Sequence, residues 1–158
     1  MSRRAISTGD ELQFVVFRVG NQELALSIAQ VERILRYSPP EAWERGPEFV
    51  AGTINYGGET VALIDLRVRG GSRPVFHEET RTMVLTLEPG ALAVVVDQVT
   101  EVLRVDTRTI QPSTGEIPGI PPDASGGRLE RDGRTIMIVN AARLLTGAER
   151  LALSEART

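Results

Sequence analysis

The sequence contains no cysteine, and lysine is also missing, so all eighteen basic residues are arginines. Without cysteine there are no disulfides, no thiol catalysis and no cysteine metal ligands, a composition compatible with a reducing compartment. Without lysine there is neither a Walker A phosphate loop nor a Schiff-base lysine. Several common routes to covalent or nucleotide-dependent catalysis are therefore closed to this chain.

Aromatic residues make up only 4% of the 158 residues, and the formal net charge is −3. This composition offers few stacking platforms, and the net charge gives no electrostatic case for binding nucleic acid, so we expect no nucleic-acid partner. A run of about 18 apolar residues is also absent, so we expect no insertion into a membrane. Residues 1–11 carry two arginines without a following apolar stretch, which predicts a flexible leader rather than a secretory signal, and a cytoplasmic protein.

The stretch Gly52–Leu66 has the clearest structural pattern in the sequence. Thr53–Tyr56 is rich in β-branched and aromatic residues, and Gly57 and Gly58 permit the positive φ angles of a tight hairpin turn. Thr60–Leu66 follows as a nearly continuous apolar run, which is typical of a strand buried on both faces. The pattern predicts a β-hairpin.

The rest of the chain is predicted to consist mainly of short strands separated by turns. Ala29–Tyr37 begins like a helical turn and can finish as a strand. The other predicted strands are residues 12–19, 23–28, 81–87, 91–96, 98–105, 128–130 and 135–139; the predicted helical segments are 47–50, 140–145 and a C-terminal helix or tail at 147–158; the predicted loops are 67–75 and 111–127.

The sequence also shows an internal duplication. Val15–Leu35 lies over Met83–Leu103 without a gap at an offset of 68 residues, and the turns coincide. Gly58–Asp65 then lies over Gly133–Asn140 at an offset of 75 residues, so that Asp65 and Asn140 are equivalent. Because a sheet of four or five short strands protects its edges by curling, we expect a mainly β protein with two small packed barrels and some exchange of segments.

Few residues are candidates for chemistry. His77, the only histidine, lies in a polar loop, where a surface role is more common than that of a general base. Asp65, Asp97 and Glu101 could form an acidic cluster for acid–base work or a metal. The simpler interpretation places Asp65 as a cap and the other two on a solvated face, because the three lack a ligand spacing.

Two further sets of residues leave their roles open. Arg67, Arg69 and Arg73 form either a loop for an acidic partner or an ordinary solvated loop. A group of apolar residues near the turns is either core or an exposed protein-binding patch. These residues are Val31, Ile34, Leu35, Ile54 and Tyr56.

Four stretches carry a resemblance to the CheW-like domain, the coupling module of bacterial chemotaxis. They are FVVFRVGNQELALSIAQVERIL, PEFVAGTINYGGETVALIDLR, ALAVVVDQVTEVLRV and DGRTIMIVNAARLL, which together span about residues 12–146. The resemblance implies one domain at 12–146 made of two intertwined SH3-like five-stranded barrels, divided at roughly 12–75 and 80–140. It implies a non-enzymatic adaptor without a cofactor or metal.

The same resemblance implies the partners and their contact surfaces. The regulatory domain of a CheA-type histidine kinase would bind the first barrel around Val31, Gly52 and Ile54. The cytoplasmic tip of a methyl-accepting chemoreceptor would bind a groove near Ile34 and Val99. Other CheW-like domains are further partners that it leaves open, and clustering at receptor arrays would follow.

The sequence departs from the family pattern at several positions. Arg33 stands where members commonly carry a glutamate, and Gly57 stands where they carry an arginine. Asn55-Tyr56 replaces a typical asparagine-leucine pair, and Asn140 replaces a strand-end aspartate. These departures leave the placement of the chain in a standard hexagonal array open.

The sequence therefore leaves three functions open. The first is an adaptor that links chemoreceptors to a histidine kinase. The second, which Arg33 and Gly57 favour, is a divergent subunit of a non-standard pathway that binds one of the two usual partners and tunes or competes in the array. The third is a small acid–base or metal-dependent hydrolase using Asp65, Asp97 and Glu101, which would require these carboxylates to converge.

Overall fold

The computed structural model describes residues 11–87, 90–113 and 116–156. Of the predicted leader, only Glu11 lies within the described residues, where it begins the first strand. The prediction of a mainly β protein is confirmed. The described strands are β1 (Glu11–Val19), β2 (Gln22–Ser27), β3 (Val31–Arg36), β4 (Gly52–Tyr56), β5 (Glu59–Asp65), β6 (Arg81–Leu85), β7 (Leu92–Val96), β8 (Gln98–Asp106), β9 (Ser125–Arg131) and β10 (Arg134–Val139).

These strands form two five-stranded sheets. One has the order β9-β10-β2-β1-β8, and because its strands come from both ends of the chain we call it the split barrel. The other has the order β3-β6-β7-β5-β4, and because it occupies the continuous segment 31–96 we call it the inserted barrel. Neighbouring strands are antiparallel except β10 with β2 and β5 with β7, which are parallel.

The parallel pairs show how the two sequence repeats are exchanged. Each barrel combines the first hairpin of one repeat with the last three strands of the other. The divisions 12–75 and 80–140 thus describe the predicted repeat units, whereas the sheets divide the chain at other positions.

A shared core lies between the barrels, and each barrel has its own interior. On β7, Leu92, Val94 and Val96 face the shared core, while Ala93 and Val95 face the interior of the inserted barrel. This alternation explains why the run reads as continuously apolar, since successive strand residues point to opposite faces and here both faces are buried. Phe14 and Val16 of β1 belong to the split-barrel interior.

Gly52 and Gly127 occupy equivalent positions in the two repeats, and the backbone packs closely against both of them, which supports the duplication. The segment after β3 pairs with β4 through Glu41 and Thr53, and Gln111 pairs with Arg128 in the equivalent place. A Cβ on Gly52 would overlap the carbonyl oxygen of Glu41. A Cβ on Gly127, which lies over Gly52 at the offset of 75 residues, would lie 2.7 Å from the carbonyl oxygen of Gln111. Both positions need glycine because another backbone approaches closely.

The helical segments are short. Asp65 caps helix α1 (Leu66–Arg69), and its side chain accepts a hydrogen bond from the backbone N–H of Arg67. Asn140 caps the 3-10 turn Ala141–Arg143 in the same way. The C-terminal segment forms helix α2 (Gly147–Ala156).

Three local predictions can be compared with the structure. The segment beginning at Ala29 was predicted as a helical turn that finishes as a strand, and it forms the 3-10 turn Ile28–Gln30 followed by β3. Residues 47–50 were predicted as one helical turn, and they form a single turn closed by the bond from Val50 N–H to the Pro47 carbonyl. The predicted loop 67–75 begins inside α1, because Asp65 supplies the cap that starts a helix there.

Candidate functional site

Arg67 is at the centre of a buried ionic cluster. Its side chain is 2% exposed, and it donates to Asp65 through Nε at 2.9 Å and through Nη2 at 2.8 Å. Its Nη1 donates to Asp97 at 3.0 Å and to the backbone carbonyl of Val75 at 2.6 Å. Such a forked arrangement is the geometry for which an arginine is suited. The interpretation of Arg67 as part of a solvated basic loop is therefore wrong.

Asp97 connects this cluster to the split barrel. Its second carboxylate oxygen accepts a hydrogen bond from the backbone N–H of Gly20 at 2.7 Å, in the turn between β1 and β2. Its own N–H donates to the Arg18 carbonyl at 2.9 Å. Burial alone lowers the pKa of Arg67, but the hydrogen bonds to Asp65 and Asp97 outweigh burial and the pKa is raised. Arg67 stays charged and ties the two barrels together.

An aromatic pair covers the cluster. The ring of Phe76 lies 4.7 Å from the guanidinium carbon of Arg67 and stacks on Tyr37 with the centroids 4.5 Å apart. Phe76 remains 49% exposed and its neighbour Val75 67% exposed. Burial and the nearby charge of Asp65 raise the pKa of Tyr37, while Arg67 opposes them. Tyr37 and Phe76 were not predicted as site residues, because only their contact across the fold brings them together.

The hypothetical acidic cluster does not form a catalytic centre. Asp65 and Asp97 do converge, but on Arg67, which forms an ion pair with each of them. Glu101 instead pairs with Arg134 at 2.7 Å. Within the ranges that the structure describes, no group of three or more histidine, cysteine, aspartate or glutamate side chains could hold a metal ion. His77 lies in the loop before β6, next to Glu79.

The residues predicted to face the kinase lie on the two edge strands of the inserted barrel. Val31 begins β3, is half-buried and packs on the shared core. Ile54 lies on β4, is also half-buried and packs on the barrel interior. Gly52 is buried beside Glu41 and Pro40. Val31 and Ile54 therefore offer partial contact surface, whereas Gly52 shapes the backbone.

The residues predicted for the receptor groove lie on edge strands of different sheets. Ile34 on β3 is 39% exposed and is paired with Met83 of the shared core. Val99 on β8 is paired with Phe17 and packs partly on the same core. Leu35 and Tyr56, the remaining members of the candidate apolar patch, are half-buried, so only Ile34 of that set is exposed.

Arg33 and Gly57, two of the positions that depart from the family pattern, are both exposed. Gly57 lies in the β4–β5 turn with φ +60°, where a Cβ would meet nothing within 4 Å. Arg33 lies at a bulge in β3, opposite Val84 of β6. Within the described part of the chain, the side chain of Arg33 has no hydrogen bond or ion pair. Its repeat equivalent, Glu101, has an internal arginine partner, so the two barrels treat this position differently.

The arrangement is typical of a class of protein whose role is contact with other proteins. The buried cluster of Arg67, Asp65 and Asp97 stabilises the joint between the two barrels, and half-buried apolar residues lie along the barrel edges. This is the composition of a module that makes contacts with other proteins. Among the described residues, neither α-helix is long and apolar enough to cross a bilayer.

Comparisons with known proteins agree with this class. The family model of the CheW-like domain matches residues 13–149. A probable chemotaxis protein CheW of Rhizobium etli is 26% identical over 147 residues, covering 92% of this chain and 94% of that protein. A chemotaxis protein CheW of Klebsiella aerogenes is 28% identical over 138 residues, covering 87% and 83%.

A solved structure gives the same result for the fold. The scaffolding protein TtCheW of Thermoanaerobacter tengcongensis superposes with a TM-score of 0.80 at 24% identity, over 95% of this chain and 99% of that one. The chain belongs to the CheW-like domain family, a family of chemotaxis adaptor proteins.

Proposed function

We propose that this chain is a non-enzymatic adaptor that couples the cytoplasmic tip of methyl-accepting chemoreceptors to the regulatory domain of a CheA-type histidine kinase in the cytoplasm. The main support is the family match over residues 13–149, together with the two-barrel fold. The small number of candidate catalytic groups agrees with an adaptor function, since Asp65 and Asp97 form ion pairs with Arg67.

The kinase contact is proposed on the inserted barrel around Val31 and Ile54, with Gly52 holding the backbone between β4 and the segment at Glu41. The receptor contact is proposed near Ile34 and Val99. Both surfaces use half-buried or exposed apolar residues on edge strands, which is where a partner reaches them without unfolding either barrel.

A direct binding experiment tests this function. The purified chain is mixed separately with the kinase regulatory domain and with the receptor tip encoded in the same genome, and binding is measured by calorimetry. An adaptor binds both probes, and Val31→Asp or Ile54→Asp weakens the kinase complex while circular dichroism stays unchanged. Unchanged kinase affinity in both folded variants would count against the proposed surface.

A second candidate is a divergent subunit that binds only one of the usual partners and tunes or competes in the array. Two observations favour it: the Arg33 side chain is exposed without a described partner, and Gly57 stands in the β4–β5 turn where members of the family commonly carry an arginine. In the same experiment this candidate predicts binding to one probe only. Whether the chain enters a hexagonal lattice or contacts other CheW-like domains would follow from adding it to an assembled array.

A further inference from the structure

The chain enters the inserted barrel through the turn Ile28–Gln30, which joins β2 to β3, and leaves it through Asp97, which joins β7 to β8. These two connections are equivalent, because Ala29 lies over Asp97 at the offset of 68 residues. The strand after the first connection carries Ile34, and the strand after the second carries Val99. The connections therefore govern the relative position of the two residues proposed for the receptor contact.

Asp97 is bonded to both barrels at once. Its carboxylate accepts hydrogen bonds from the Gly20 N–H at 2.7 Å and from Arg67 Nη1 at 3.0 Å. Gly20 follows β1 of the split barrel, whereas Arg67 belongs to α1, which follows β5 of the inserted barrel. The Asp97 N–H also donates to the Arg18 carbonyl at the end of β1. The start of β8, two residues before Val99, is thereby fixed against each barrel.

Arg67 is itself a fixed anchor. Its side chain is 2% exposed, and it also donates to Asp65 and to the Val75 carbonyl. The side chain of Asp97 is 23% exposed, and a partly buried ion pair is screened much less than a surface pair. Because Arg67 is held in place, a shift of Asp97 would lengthen a charge-assisted hydrogen bond.

The connection before β3 is held without charge. Gln30 Nε2 donates to Asn140 Oδ1 at 3.2 Å, and Gln30 Oε1 accepts from the Ala141 N–H at 3.3 Å. The Gln30 carbonyl accepts from the Thr86 N–H at 2.9 Å, which attaches the turn to the inserted barrel. Hydrogen bonds between charged groups are stronger than neutral ones. The side-chain attachment at Asp97 is therefore the stronger of the two.

The two proposed binding contacts depend differently on this joint. Val31 and Ile54, proposed for the kinase, lie on β3 and β4 of the same sheet. Ile34 and Val99, proposed for the receptor, lie on β3 and β8 of different sheets. A change in the orientation of the barrels would therefore alter the spacing of the receptor pair and leave that of the kinase pair unchanged.

We propose that Asp97 is a positioning residue for receptor binding. Through its bond to Arg67 it holds Val99 at the distance from Ile34 that the receptor tip requires, without touching the receptor itself. This inference rests on the proposed function and deepens it, because it names the feature that shapes the receptor contact. When the joint is loose, only a fraction of the molecules fits the receptor, and the apparent Kd rises by the inverse of that fraction.

Binding of the purified receptor tip and of the purified kinase regulatory domain, measured by calorimetry, tests the inference. Asp97→Asn keeps the size of the side chain and loses the charge that pairs with Arg67. Its Kd for the receptor tip is expected to rise about tenfold, which corresponds to about one fitting molecule in ten, whereas its Kd for the kinase domain stays unchanged. Asp106→Asn is the matched control and is expected to bind both partners like the wild type. Asp106 pairs with Arg108 at 2.7 Å within the split barrel, so this pair does not join the barrels.

A distance measurement shows whether Asp97 acts through the joint or by direct contact with the receptor. The chain has no cysteine, so Arg36→Cys on β3 and Arg104→Cys on β8 each accept a single spin label. Both positions are exposed. Double electron–electron resonance is expected to give a narrow distribution of distances between the labels when Asp97 is present and a broader one after Asp97→Asn.

The outcomes separate the two proposals. If the wild-type chain does not bind the receptor tip, the receptor half of the proposed function fails and the inference fails with it. If the wild type binds both partners, three results for the folded Asp97→Asn variant overturn the inference alone: unchanged receptor affinity, an equal loss of both affinities, or a loss of receptor affinity with unchanged label distances. If Asp97→Asn does not fold, Asp97→Glu, which displaces the charge by one methylene group, is compared in the same way, and the same results overturn the inference.

Discussion

The ion pair between Arg67 and Asp97, at 3.0 Å, joins the inserted barrel to the split barrel. Arg67 belongs to α1 at the end of β5, and Asp97 lies between β7 and β8, where it also accepts from the backbone of Gly20. At the equivalent positions of the other repeat stand Ala142 and Ala29, which cannot form such a pair. An ion pair therefore links the two barrels at one of the two equivalent positions of the duplicated fold and not at the other.

Replacing Asp97 with alanine should destabilise the fold. The variant leaves Nη1 of the buried Arg67 without its carboxylate, and an unpaired buried donor costs about 1 to 3 kcal/mol. The Gly20 N–H also loses its acceptor, but Gly20 is exposed, so water can replace that bond. Urea denaturation followed by circular dichroism measures the change. Asp123→Asn is the control, because the exposed pair of Asp123 with Arg143 at 3.4 Å should contribute less than about 1 kcal/mol. Equal stability of the two variants would contradict the role of Asp97.

Gly52→Ala should also destabilise the protein, for a steric reason. The added methyl group would overlap the Glu41 carbonyl oxygen and lie 2.9 Å from Cβ of Pro40, and forced overpacking costs about 1 to 3 kcal/mol. Gly147→Ala is the control, since a Cβ there meets nothing within 4 Å. Thermal melting compares them. If Gly52→Ala melts with the wild type yet loses kinase binding, Gly52 acts in the contact and not in the backbone.

The cap at Asn140 can be tested by exchanging it for its repeat equivalent. Asn140→Asp keeps an acceptor for the Ala142 N–H, now 3.0 Å away, as Asp65 does for Arg67. Asn140→Ala removes the acceptor and should cost about 1 kcal/mol. Chemical denaturation should rank the aspartate variant above the alanine variant. The reverse order would contradict the role of the cap, because aspartate keeps the oxygen that accepts from both Ala142 N–H and Gln30 Nε2, whereas alanine loses it.

Stability at high pH should depend on Tyr37. Its pKa is raised from 10.0 in the folded chain by burial and by Asp65, so above pH 10 the unfolded chain releases a proton that the folded chain retains. The contribution of this group to stability is present below pH 10 and decreases as the pH rises further. Denaturation at a series of pH values should show a steeper loss for the wild type than for Tyr37→Phe. Parallel curves would exclude Tyr37 as the cause.

The turns and the helix cap could be predicted from the sequence because each depends on residues that are close together in the chain. The Gly57–Gly58 turn and the Asp65 cap each depend on residues a few positions apart, and the structure contains both. The internal repeat, with offsets of 68 and 75 residues, predicted two barrels, because two copies of a similar strand pattern form two similar sheets. The strand exchange was less visible, since the residues of a hairpin do not record which other hairpin it joins.

The candidate site was harder to predict than the fold. Arginine is usually exposed, so nothing near Arg67 in the sequence indicated burial, and Asp97 lies 30 positions away. The exposure of Arg33 and Ile34 was equally hidden, because β3 could have been either a central or an edge strand. Only the strand order, with β3 at the end of its sheet, makes those two residues accessible.

The order in which the barrels draw on the chain has a consequence for biosynthesis. By the time residue 96 has left the ribosome, all five strands of the inserted barrel are available, whereas β1 and β2 must wait for β8, β9 and β10. Until then the Phe14–Phe17 segment has no partner on the β8 side and no barrel interior to fill. A nascent chain paused after residue 96 would therefore contain a complete inserted barrel and an unpaired β1–β2 hairpin with exposed apolar residues. Chaperones would be expected to bind that hairpin.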